Sequence, residues 1–182
     1  MRLGTWTHLL ASTASIGLVG AGMHFVHELS GCNPIVGFLG AVNESAWEHL
    51  KLMLWPMLFW WVVLAQPSVV PAVAATYPAA ALLLLVYAIA HEGFRWTDAA
   101  FNIALFVASV AFGQICGIFA HRRAHPAWAH DLAALLLFAE LTCLSTFTLI
   151  YTPRGAPFLF QDPSSGGYGP RLCANSRITI SR

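Results

Sequence analysis

Charge is what this sequence has least of. Only 9% of its 182 residues are Asp, Glu, Lys or Arg, against about 25% in ordinary soluble domains. So few charges cannot coat a water-soluble globule. The net charge is +1 and no basic stripe is present, so no nucleic-acid partner is expected. The four cysteines, Cys32, Cys116, Cys143 and Cys173, show neither the CxxC spacing of a metal motif nor the density of a disulfide frame. HExxH and serine-nucleophile motifs are missing. So are an internal repeat of solenoid length, an inverted repeat of the transporter kind, and any polar block large enough to fold as a second domain.

Apolar residues are abundant instead: 58% of the chain, with a mean hydropathy of +0.66. A membrane span needs about 20 mostly apolar residues, and five runs approach that. The first extends from Thr5 to Leu29. Arg2 precedes it, but the run continues too far for a cleavable signal and reads as a retained span. Gly17, Gly20 and Gly22 within it suit close helix approach in lipid. Pro34 is expected to end this helix through its bias on the preceding residue. The apolar connector that follows, residues 35–42, is expected to dip into the interface. The second span begins near Asn43 or Ser45 and reaches Gln66, with Pro56 inside it. The third ends near Glu92. The fourth follows the polar connector 91–98, with Thr97 as N-cap, and ends near Ala120. The fifth runs from about Ala127 to Ile150. The expected fold is all-α: an integral membrane bundle of five transmembrane helices in residues 1–152. A Pro/Gly-rich tail, residues 153–182, is expected to pack partly over the bundle mouth. The expected partners are the lipid bilayer and a further copy of the chain, in a multi-pass protein of the plasma membrane.

Five spans sort the polar residues by side. The side away from the N-terminus collects His24, His27, Glu28, Asn43, Glu44, Glu48, His49, His91, Glu92, Arg95, Asp98 and Asp162. The N-terminal side holds Arg2, His121, Arg122, Arg123, His125, His130 and Asp131. Arg2, Arg122 and Arg123 make the N-terminal side cytoplasmic by the positive-inside rule, while Lys51, Arg95 and the tail arginines argue against it. The polar stretch 43–51 is the focus. Within it Ser45-Ala46-Trp47-Glu48 fits a capping box, and Glu48 and Lys51, three apart, can pair on one helix face. His24, His27 and Glu28 likewise share one face of the first span. Three His/Glu pairs, His27-Glu28, Glu48-His49 and His91-Glu92, stand at helix ends on the same side. Facing helices build metal and proton sites from such groups. Imidazole and carboxylate suit a divalent metal such as Zn. The candidate site is therefore His24, His27, Glu28, Glu44, Glu48, His49 and His91, expected to converge on one water-accessible pocket. Asn43, Ser45, Trp47, Lys51, Glu92, Asp98, Glu140 and Asp162 support it, with Asp162 covering the mouth. Glu140 falls near the middle of the fifth span. There it reads either as a proton relay or as an acid hydrogen-bonded to Asn102, Gln114 or Thr142. Cys116 and Cys143 fall inside spans as small apolar residues, whereas Cys32 and Cys173 could meet on one side.

Asn43-Glu44-Ser45-x-Trp47-Glu48-His49-x-Lys51, followed by Pro56, resembles the signature of a family of small, uncharacterised, mainly bacterial multi-span membrane proteins. The resemblance extends to the His-Phe-Val-His-Glu segment 24–28, to Gly31-Cys32-Asn33-Pro34, and to the tail segments 158–163 and 167–169. Residues 171–182 do not fit it. The resemblance implies the membrane fold and no reaction. Three readings follow: a small-cation or proton site at one membrane face, a metal-dependent hydrolase acting on a lipid with metal-bound water as nucleophile, or a structural or assembly protein without a ligand. No catalytic residue is assigned.

Overall fold

The computed structural model describes residues 5–65, 68–94, 98–150 and 152–169. Its helices, in chain order, are α1 (Thr5–Leu29), α2 (Pro34–Leu39), α3 (Ala46–Phe59), α4 (Val69–Ala88), α5 (Ala99–His121), α6 (Ala127–Ser145) and α7 (Pro157–Phe160). Helices α3, α4 and α6 run on as π-helical turns, Trp60–Leu64, Ile89–Gly93 and Thr146–Ile150. Among the described residues there is no strand, only an isolated bridge between Gln161 and Tyr168. The class is all-helical, as expected.

Among the described residues, four helices are long and apolar enough to cross a membrane: Thr5–Leu29, Val69–Gly93, Ala99–His121 and Ala127–Thr148. The second expected span differs from these. Helix α3 is shorter and carries Glu48 and Lys51. Leu50, Lys51, Leu52, Met53 and Leu54 are all buried, and five consecutive helical residues cover the whole circumference. A helix buried on every side is the core of its bundle. Helices α1, α4 and α5 pack around it.

Small residues set the approaches. A Cβ on Gly113 would lie 2.5 Å from the Ala75 carbonyl oxygen, and one on Gly117 would lie 2.6 Å from the Trp61 ring. Both glycines therefore let α5 press against α4 and the end of α3. Gly20 does the same between α1 and α3, where a Cβ would meet the Leu52 carbonyl at 2.7 Å. Gly17 and Gly22 have open space beside them, so only one of the three glycines of the first span serves the expected close packing.

Local chemistry explains the helix ends. Helix α1 stops in a Schellman motif: the Cys32 amide donates to the His27 carbonyl and the Gly31 amide to the Glu28 carbonyl, at 2.9 and 3.0 Å. Gly31 supplies the left-handed residue this needs, at φ +69°. The stop is thus set by glycine rather than by Pro34, which instead opens α2 at its first turn behind the Asn33 cap. The apolar connector expected to dip into the interface is in part this short helix. Asp98 caps α5 by accepting from the Phe101 amide at 2.9 Å. Thr97, expected in that role, lies outside the described residues, as do Gln66, Arg95 and Cys173. Cys32 is disulfide-bonded, while Cys116 and Cys143 are free thiols.

Two contacts fix α1 and α5 as antiparallel neighbours. The Arg122 guanidinium donates to the Thr5 hydroxyl, and Gly20 faces Phe106. The bundle accordingly has an Arg122 end and a Cys32 end. At the Cys32 end, α7 brings Phe160 against Trp47 and Phe147, with ring centroids 5.3 and 5.5 Å away. Phe160 is buried there.

Candidate functional site

Three elements meet at the Cys32 end. Helix α1 brings His24, the turn after α2 brings Glu44, and the first turn of α3 brings His49. The Glu44 Oε2 atom lies 3.3 Å from His24 Nε2 and 3.7 Å from His49 Nε2. One ligand atom from each residue lies within 4.8 Å of the other two. The imidazoles meet edge to face, 5.4 Å apart. The side chains are 29% (His24) and 34% (Glu44 and His49) exposed, so the cluster lies at the surface of the bundle.

The His49 ring is oriented by its own helix. Its Nδ1 sits 3.0 Å from the Ser45 carbonyl oxygen. A carbonyl can only accept, so Nδ1 carries the proton and donates. In the neutral ring Nε2 then presents a lone pair toward the Glu44 carboxylate. Two acceptors facing each other at this range need a proton or a cation between them. A ring N–H held by a backbone carbonyl is also the usual support of a histidine metal ligand.

Glu48 and Lys51 form a separate layer. Lys51 Nζ lies 2.7 Å from Glu48 Oε2, and the side chains are 0% and 5% exposed respectively. The Val42 amide donates to the same carboxylate oxygen at 3.0 Å, and Lys51 also donates to the Gly37 carbonyl at 2.9 Å. The pair thereby ties the α2 segment to α3. This alters the expected capping box. Ser45 does cap α3, accepting from the Glu48 amide at 3.4 Å. Glu48 does not reach back to the Ser45 amide, which donates instead to Asn43 Oδ1 at 2.8 Å. A buried ammonium competes more strongly for the carboxylate than one amide does.

His27 is buried against Gly37, where a Cβ would come within 2.9 Å of His27 Nδ1. Neither ring nitrogen has a partner among the described residues. Glu28 and Glu92 are exposed. His91 bonds through Nε2 to Asn102 Oδ1 at 3.1 Å and stacks on Tyr87 at 3.8 Å. The seven candidate residues thus separate into one three-residue cluster, a buried acid, a buried imidazole, an exposed acid and a histidine held between α4 and α5.

The supporting residues are placed as follows. Asn43 Nδ2 donates to the Gly169 carbonyl at 2.9 Å and ties the tail to the start of α3. Trp47 is buried with Nε1 lacking a partner among the described residues. With Glu48, Phe147, Thr148 and Phe160 it lines a small pocket under the tail. Asp162 is buried and accepts from the Ser164 amide and hydroxyl at 2.8 and 2.7 Å, so it closes a turn of the tail. Glu140 takes its hydrogen bond from Thr76 of α4 at 3.0 Å. The partners expected for it are otherwise engaged or distinct. Asn102 holds His91, Thr142 donates to the Phe138 carbonyl, and the buried Gln114 amide has no partner among the described residues.

Sequence reasoning passed over Gly37, Thr76, Gly113 and Gly117. The last two were detectable: Gly113-x-x-x-Gly117 is the small-residue spacing of packed membrane helices. Thr76 and the Gly37 carbonyl carry no such signal, because their roles depend on which helix faces them.

The family model described as a family of unknown function (DUF6512) matches residues 3–170. The match stops where the tail residues outside the sequence resemblance begin. No curated protein matches this chain, and no solved structure matches it. The chain belongs to the DUF6512 family.

Proposed function

We propose that this protein crosses the membrane five times and binds a divalent transition-metal ion of the zinc class at His24, Glu44 and His49. The fifth crossing is α3 with its π-helical continuation, the inner helix of the bundle. At ~1.5 Å per residue it approaches the ~30 Å of a bilayer core, and Glu48 and Lys51 are matched to each other inside protein. The observation that carries the metal reading is the confrontation of acceptors: a His49 ring already donating through Nδ1, facing the Glu44 carboxylate. A tetrahedral zinc with bonds of 2.0–2.1 Å holds neighbouring ligand atoms roughly 3.3 Å apart, close to the 3.3 and 3.7 Å separations here.

The partial exposure of all three side chains favours a second reading. Three protein ligands with a water-filled fourth position are the composition of a catalytic zinc site. The second reading is therefore a metal-dependent hydrolase acting on a lipid at the membrane face. Elemental analysis of detergent-purified protein tests the first reading. Near-stoichiometric zinc, or another first-row divalent metal, is expected in the wild type, with most of it lost from a His24→Ala/His49→Ala double variant. A wild type that retains no metal, or a double variant that retains as much, overturns it and leaves the structural or assembly role. Lipid hydrolysis that requires the bound metal would select the second reading over simple binding.

A further inference from the structure

Two features at opposite ends of α1 bear on which way the site faces. Beyond its last residue, Cys32 is disulfide-bonded. Beside its first described residue, the Arg122 guanidinium holds Thr5, with Arg123 exposed next to it. The helix has 25 residues, which at ~1.5 Å each is a little under 40 Å and enough to separate the two features by a bilayer. Disulfides persist on oxidising faces and are rare in the cytosol. Short loops rich in arginine stay in the cytoplasm. The two signals have unrelated physical origins and assign the same orientation. Lys51 argues against that orientation only as a sequence element, because in the fold it is fully buried and paired with Glu48 and is no loop charge. Arg154, exposed at the Cys32 end, counts against it, as do Arg95 and the tail arginines by their place in the sequence; the disulfide carries the assignment over them.

The cluster of His24, Glu44 and His49 belongs to the Cys32 end. The chain between Cys32 and Glu44 is short and is pinned to α1 along its length: Gly37 lies against His27, Gly40 against the Met23 carbonyl, and the Ala41 amide donates to that same carbonyl at 3.3 Å.

We infer that the His24–Glu44–His49 cluster faces the oxidising, extracytoplasmic side of the membrane and takes its ion from there. The identity of the ion rests on the function proposed above; the orientation does not. In a plasma membrane the protein would therefore meet its metal outside the cell.

Labelling of intact cells with a membrane-impermeant maleimide tests the orientation. Glu92→Cys places a thiol at the exposed end of α4, beside the start of α5 and so at the Cys32 end. Arg123→Cys places one at the opposite end. Labelling of the first on intact cells, and of the second only after lysis, is expected. The reverse pattern overturns the proposal. The second arm uses membrane vesicles holding the full-length wild type loaded with zinc. An impermeant chelator should strip the zinc from right-side-out vesicles and spare it in inside-out ones. Stripping only from inside-out vesicles overturns the proposal. Failure of the wild type to hold zinc in either orientation would sink the metal reading, and the labelling arm would still decide the orientation.

Discussion

Lys51 Nζ and Glu48 Oε2 lie 2.7 Å apart, wholly inside the bundle. Every other fixed cation of the chain is an arginine, so Lys51 is the sole lysine. Its flexible stem lets the ammonium reach both Glu48 and the Gly37 carbonyl. Removing one partner of such a pair leaves an uncompensated buried charge, at a cost of about 3–5 kcal/mol. Lys51→Met and Glu48→Gln should each lose about that much stability, read as thermal unfolding in detergent. The Glu48→Gln/Lys51→Met double variant should recover most of it. A double variant as unstable as the two singles summed would show that the pair is not coupled.

The glycines of α5 offer a packing test with internal controls. Gly113→Ala and Gly117→Ala would force a methyl onto the Ala75 carbonyl and the Trp61 ring, and overpacking costs about 1–3 kcal/mol. Gly17→Ala and Gly22→Ala add a methyl to open space and should leave the unfolding temperature unchanged or slightly raised. Equal effects at all four positions would contradict the close approach of α4 and α5.

Histidine substitutions separate the metal cluster from the rest of the polar set. His24→Ala and His49→Ala should each weaken zinc binding, measured by competition with a chromogenic chelator. His91→Ala should leave it as in the wild type, because that ring bonds to Asn102 and stacks on Tyr87. Loss of zinc from the His91 variant would restore the idea of one site shared by all seven residues.

The start of α3 can be dissected by its caps. Ser45→Ala should cost about 1 kcal/mol, the usual value of a helix N-cap. Asn43→Ala removes two contacts at once, the acceptor of the Ser45 amide and the donor to Gly169. It should therefore also loosen the tail and speed limited proteolysis within residues 152–169. Unchanged cleavage rates in that variant would mean that the aromatic contacts of Phe160 hold the tail without Asn43.

Several of these relations were legible in the chain itself. Scarcity of charge together with long apolar runs determined the all-helical class and the limits of α1, α5 and α6, since span length and turn residues are local properties. The Ser45 cap was equally readable, because an N-cap involves only the next turn. The stretch from Asn43 to Lys51 stands out in the sequence for the same reason: polar groups cannot face lipid cheaply, so their concentration marks protein interior or a wet end.

Tertiary structure decided the partners. The capping-box spacing suggested that Glu48 bonds to the Ser45 amide, yet Glu48 chose Lys51 and Val42. Position in the chain put His91 beside His24, yet α5 offered it Asn102. Glu140 found Thr76 rather than Asn102, Gln114 or Thr142, and α3, which carries Glu48 and Lys51, became the inner helix. The common cause is the solvent. In lipid both faces of a span are apolar, so hydropathy carries little information about which face turns inward. Helix rotation and neighbours are fixed instead by where small residues admit close packing and where buried donors meet acceptors, and both depend on residues far apart in the chain.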